Sequence, residues 1–191
     1  MEETNKRNRE LDLMYIKGFL DSLAYINTFT NDGKSYDVEF IEKFGDDYQS
    51  TFRNHYNKKY WEVETEKIGG DWRLNLQNEI KPYFDQLMVE TIRFFSKDEK
   101  EIFSHQEFES LIENKTQMMR KEMNFHIYHL LLDKFCDCLE QFIPKDAELI
   151  RVTIDWSPKN KPYEGYYEGS ASDFLFDMGN EILFLHFGIS D

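Results

Sequence analysis

Apolar residues recur at three- and four-residue steps near the start of the chain, at Leu11, Tyr15, Gly18, Phe19, Ser22, Ile26 and Phe29. That period predicts an amphipathic helix with this stripe turned to a core. Asn31-Asp32-Gly33 ends it with turn-forming residues. A second helical period runs through Val38, Ile41, Phe44, Tyr48, Phe52 and Tyr56, interrupted at Gly45. From Trp61 to Glu66 the pattern switches to strict alternation, which predicts a half-buried strand. Trp61, Val63 and Thr65 are expected to face the core, with Glu62, Glu64 and Glu66 aligned on the other face. Gly69-Gly70 punctuates the chain, and Asp71 is the expected N-cap of a helix carrying Trp72, Leu76 and Ile80. Pro82 should kink or restart that helix, and Phe84, Leu87, Met88, Ile92 and Phe95 continue its stripe. Two capping-box patterns follow, Ser96-x-x-Glu99 and Ser104-x-x-Glu107. The second, unless the first already does so, opens the longest helix, from about His105 to Phe142, closed by Ile143-Pro144.

The last quarter of the chain has a different period. Ile150, Val152, Ile154 and Trp156 alternate with Arg151, Thr153 and Asp155, which predicts a strand. Ser157 to Pro162 reads as a loop. Two apolar runs, Phe174 to Phe176 and Ile182 to Phe187, flank Gly179-Asn180 and predict a β-hairpin. The expected fold class is therefore α+β, with several amphipathic helices packed on a C-terminal antiparallel sheet. A single compact domain is expected over residues 1–191, helix-rich over 1–143 and strand-rich over 144–191.

Composition narrows the classes of function. The chain has 191 residues, 16% of them aromatic, with only 4 Pro and 9 Gly. A chain of that length buries a sizeable core without a disulfide or metal staple. Cys136 and Cys138, two apart on an expected helix, point to different faces and do not suit a bridge. The charged start, Met1 to Arg7, carries no apolar segment of signal-peptide type. No apolar run approaches the roughly 18 residues of a membrane span. A cytoplasmic location is expected, with no membrane partner. The formal net charge of −14 repels nucleic acid, whose affinity rests on phosphate neutralisation, and attracts a basic protein.

Gly33-Lys34-Ser35 resembles the end of a phosphate-binding loop, but the opening glycine is replaced by Thr28, and a surface turn accounts for it. His126 and His129 share a helix face with Asp133 and Glu140, a stripe explained by solvation without a metal. His186 lies in an apolar run as a core or edge histidine, and Asp137 beside the cysteines disfavours a thiolate. Carboxylates are so plentiful that no catalytic pair stands out. No catalytic residue, cofactor or metal is therefore expected.

The tail is the most unusual segment. From Pro162 to Asp191 it holds six carboxylates and no Lys or Arg. Tyr163, Tyr166 and Tyr167 sit among Glu164 and Glu168, followed by Asp173 and Asp177. Tyrosines supply rigid contact area with a polar tip, and flanking carboxylates pair with cations of a partner. A sheet edge blunted by acids is the structural alternative. The expected partner-binding residues are thus Tyr163, Glu164, Tyr166, Tyr167, Glu168, Asp173 and Asp177, with the row Glu62, Glu64 and Glu66. The expected function is an acidic partner-binding protein, of the inhibitor or immunity type, that neutralises a basic cognate toxin or nuclease. An intracellular adaptor or regulatory module, and an enzyme with an unmarked active site, are the alternatives.

Overall fold

A computed structural model of the chain describes residues 2–27, 33–122, 126–155, 159, 161–162 and 170–190. Helix α1 spans Glu2–Asn27, α2 Tyr48–His55, α3 Trp72–Phe95, α4 His105–Glu122 and α5 His126–Leu139. Strand β1 spans Gly33–Glu42, β2 Glu62–Ile68, β3 Leu149–Asp155, β4 Ser170–Asp177 and β5 Glu181–Ser190. The strands form one sheet in the order β1-β5-β4-β3-β2. Every neighbouring pair is antiparallel. The fold is α+β, as the mixture of periods predicts.

Side chains alternate across a strand, so the sheet has two distinct faces. On one, Tyr36, Val38, Leu149, Phe174, Phe176, Leu183, Leu185 and Phe187 form a core with residues of α1, α3 and α5, including Ile16, Leu20, Ile80, Phe84 and Phe135. On the other, Ile41, Ile150, Val152, Leu175, Ile182 and Phe184 lie beneath Phe52 of α2. Helix α4 builds a third cluster on α3, from Met88, Ile92, Phe108 and Ile112. The two sheet faces are unequally covered. An eight-residue helix is about 12 Å long, whereas five strands span about 19 Å. Among the described residues, α2 therefore shields only part of its face.

Several local expectations hold. The Asp71 carboxylate accepts from the Leu74 amide at 3.1 Å, capping α3. Ser104 and Glu107 form the reciprocal box, with Ser104 N–H donating to Glu107 at 2.9 Å and Glu107 N–H to Ser104 Oγ at 3.4 Å. β4 and β5 pair as a hairpin around Gly179, whose φ of 93° suits glycine. Both cysteines are free thiols. No helix among the described residues is long and apolar enough to cross a membrane.

Other expectations are corrected. The period read as one helix from Val38 to Tyr56 splits into β1 and α2. Tyr36, Val38 and Phe40 alternate with Asp37 and Glu39, and β-branched and aromatic residues pack well on a pleated surface. Gly45, at φ 72°, lies between strand and helix. The region read as helix-rich thus contributes two strands to the sheet, not one. α1 follows its expected stripe in part: Phe19 and Ile26 pack on the core, but Leu11 and Tyr15 are exposed, and Ile16, Leu20, Leu23 and Ala24 are the buried residues. Apolar residues surround this helix, so its period fits more than one face. α3 is a single helix through Pro82. Ser96 ends α3 instead of opening a helix, and its hydroxyl accepts from Lys115. The expected long helix is described as α4 and α5, with residues 123–125 outside the described ones.

Candidate functional site

The half-covered sheet face holds a cleft at the C-terminal end of α2. Asp47 caps that helix, accepting from the Ser50 amide at 2.6 Å, and this hydrogen bond holds its carboxyl below the usual range. The buried Thr51 hydroxyl accepts from the Phe44 amide and donates to the Asp47 carbonyl, fixing the entry loop. Phe52 then seats edge-on over Phe184 at 4.9 Å. After Tyr56 the chain reverses through Asn57, at φ 53°. Arg53 Nε donates to the Trp61 carbonyl at 2.6 Å, closing the reversal. Trp61 is thereby buried, with its ring 5.3 Å from that of Tyr56.

These two aromatics form one wall of a cleft of about 100 Å³. Its floor comes from strand register. His186 of β5 lies opposite Asp37 of β1 on one side and Asp173 of β4 on the other. The three are a single row on the α2 face, with Glu39 two residues along β1 from Asp37. Ile154 and Phe184 supply apolar surface. His186 Nδ1 sits 2.6 Å from Asp173 Oδ1, and both residues are buried. A buried ionisable group is costly unless paired, which accounts for the closeness of this contact.

The remaining carboxylates are tethered from different elements. Asp37 accepts from the Val38 amide at 2.7 Å and pairs with Lys17 of α1 at 3.1 Å. Glu39 accepts from the Tyr56 hydroxyl and lies 3.2 Å from His55 Nε2. Among their described partners, the three carboxylates therefore meet one permanent cation, Lys17, and two histidines. Among the described residues, no three His, Cys, Asp or Glu side chains converge as metal ligands. The lining also lacks a described Ser, Thr or Cys to act as a nucleophile beside the His–Asp pair.

The anticipated partner-binding residues are dispersed. Asp173 lies on the cleft floor, buried and paired with His186. Asp177 is on the same face at the far end of β4, where Lys43 and Tyr48 donate to it, each at 2.9 Å. Burial and this hydrogen bond push the Tyr48 hydroxyl up to about 12. Glu62, Glu64 and Glu66 are exposed on edge strand β2, as alternation predicts. They belong to the opposite face from the cleft, because Glu66 pairs with Arg151, which also reaches Glu79 of α3. Trp61 is buried and Val63 half-buried, but Thr65 is exposed, since it lies beyond the cover of α2. Tyr163, Glu164, Tyr166, Tyr167 and Glu168 lie outside the described residues. β3 ends at Asp155 and β4 begins at Ser170, three residues before Asp173.

The side chains of His126 and His129 also lie outside the described ones. Asp133 and Asp137 on α5, and Glu140 just after it, pair with Arg73 of α3, at 3.9, 2.7 and 2.8 Å. That stripe joins two helices. The cleft residues missed in the sequence are Asp37, Glu39 and Tyr56. The available signal was the alternation from Tyr36 to Phe40, which places Asp37 and Glu39 on one face.

No family model matches this chain. No curated protein matches it. Among solved structures, the chain is similar to the crystal structure of citrus MAF1 at 14% identity, over 94% of this chain and 97% of that one, with a TM-score of 0.38. A likeness at that level carries no argument about function.

Proposed function

We propose that this protein binds a basic protein partner, acting as an inhibitor or immunity-type protein that neutralises a cognate basic toxin or nuclease in the cytoplasm. The observation that carries the reading is the cleft on the α2 face, where Asp37, Glu39 and Asp173 converge beside an aromatic wall. The formal net charge of −14 adds a field that speeds association with a basic surface. The carboxylates supply charge-assisted hydrogen bonds, and the half-buried Tyr56 rigid aromatic area of the kind found at binding hot spots.

The experiment is capture of a partner from native lysate, followed by titration at two salt concentrations. A basic protein whose affinity falls with salt supports the reading. Failure to capture any basic protein, or binding indifferent to salt, counts against it.

A second reading, an enzyme, draws on the His186–Asp173 pair, because a carboxylate-oriented histidine is a common general base. The cleft volume of about 100 Å³ is small for it, since sites for whole small molecules typically run to about 300–1,000 Å³.

A further inference from the structure

We infer that the cleft is a receptor for one arginine side chain of the partner, an inference that rests on the partner-binding reading above. The cavity of about 100 Å³ suits a side-chain head group better than a whole small molecule. Its lining selects the charge of that group. Asp37, Glu39 and Asp173 line it, and among their described partners Lys17 is the one permanent opposing charge. An anion is repelled there. A metal ion is disfavoured by the absence of three convergent ligands among the described residues. An organic cation remains.

Shape and hydration then separate guanidinium from ammonium. A guanidinium is planar and weakly hydrated, stacks on aromatic faces and bonds carboxylates through a rigid fork. The cleft offers both partners: the half-buried Tyr56 ring on one side, backed by the buried Trp61, and the Asp37 and Glu39 carboxylates of β1 on the other. A compact ammonium gains less from the apolar surface of Ile154 and Phe184 and must shed more water. Capacity is also present. Glu39 accepts from Tyr56 and contacts His55, yet a carboxylate offers about four acceptor positions. The floor is rigid, because Asp173 is buried and held by His186, so little ordering is required when the guanidinium enters.

The probe is a capped arginine, Nα-acetyl-arginine methylamide, with capped citrulline as its neutral isostere. It is titrated into the full chain while the His186 ring and Trp61 indole signals are followed by NMR. Saturable shifts at both groups are expected, with citrulline at least tenfold weaker, because the charged hydrogen bonds are lost. Glu39→Gln should weaken arginine binding about tenfold with its melting temperature close to wild type. Asp37→Asn, on the exposed side of the cleft, provides a second variant should the first disturb folding. Equal binding of citrulline and arginine, shifts confined to other residues, or full affinity in both variants overturns the inference. A basic partner captured from lysate while capped arginine leaves the His186 and Trp61 signals unmoved also overturns it, and leaves the proposed function standing. Saturable arginine binding with no basic protein captured supports the arginine site and removes the partner reading instead.

Discussion

Burial raises the Cys136 thiol to about 12, and the carboxylates of Asp133, Asp137 and Glu140 push in the same direction against Arg73. Cys138, half-buried two residues on, is also raised, first by burial and then by Asp137. Because the thiolate is the reactive form, neither cysteine is poised to react. A chromogenic disulfide reagent at neutral pH should therefore show no fast phase with folded protein and two reacting thiols after unfolding. A rapid native thiol would contradict the burial of α5. Asp177 titrates in the opposite direction. Burial alone raises its carboxyl, but donors from Lys43, the Gly179 amide and Tyr48 outweigh it and lower the net value. A carboxyl lowered on folding stabilises the fold above its unfolded value near 3.9, and that contribution is lost as pH falls through the lower folded value. Denaturation of wild type and Asp177→Asn between pH 6 and pH 2 checks the sign. The variant should lose less stability toward acid, and equal acid sensitivity would contradict it.

Helix α2 is short, and its hold on the sheet rests on Phe52, fully buried against Phe184 and Ile41. Replacing a buried phenylalanine with alanine typically costs about 3–5 kcal/mol through lost transfer energy and the cavity left behind. Phe52→Ala should lose stability in that range by urea denaturation, while Phe44→Ala, at a largely exposed position, should stay within about 0.5 kcal/mol. Comparable losses at both sites would mean that α2 does not pack as described. The same elements show what the sequence made legible. Glu62 to Glu66 alternate with no competing period, and the two runs around Gly179-Asn180 have a hairpin turn between them, so strand and hairpin were readable. β1 was not, because Val38, Ile41 and Phe44 also satisfy a helical spacing. Leu11 and Tyr15 misled for a related reason, since a helix apolar on several sides leaves its buried face undecided until neighbours pack. The cleft was less legible still. Asp37, His186 and Asp173 meet through strand register between distant parts of the chain, and local periods do not encode register.

The whole molecule combines a strongly acidic composition with an aromatic-rich core on both faces of one sheet. Arg73, Arg93 and Arg151, cations that a nucleic acid could recruit, already engage carboxylates of the chain itself. Duplex DNA at physiological salt should give no saturable binding. Submicromolar, salt-sensitive binding would reveal a basic face incompatible with this charge distribution. Melting should not respond to a chelator or a reductant, and a fall of many degrees with EDTA would return His126 and His129 to consideration as metal ligands. The central claim is that the acid-lined cleft on the α2 face binds a basic partner, and calorimetric titration of the captured partner against wild type and an Asp37→Asn/Glu39→Gln double variant tests it most directly. The account predicts at least a tenfold loss of affinity in the double variant and a shallower dependence on salt, with the melting temperature preserved. Equal affinity and equal salt dependence for the two proteins would contradict it.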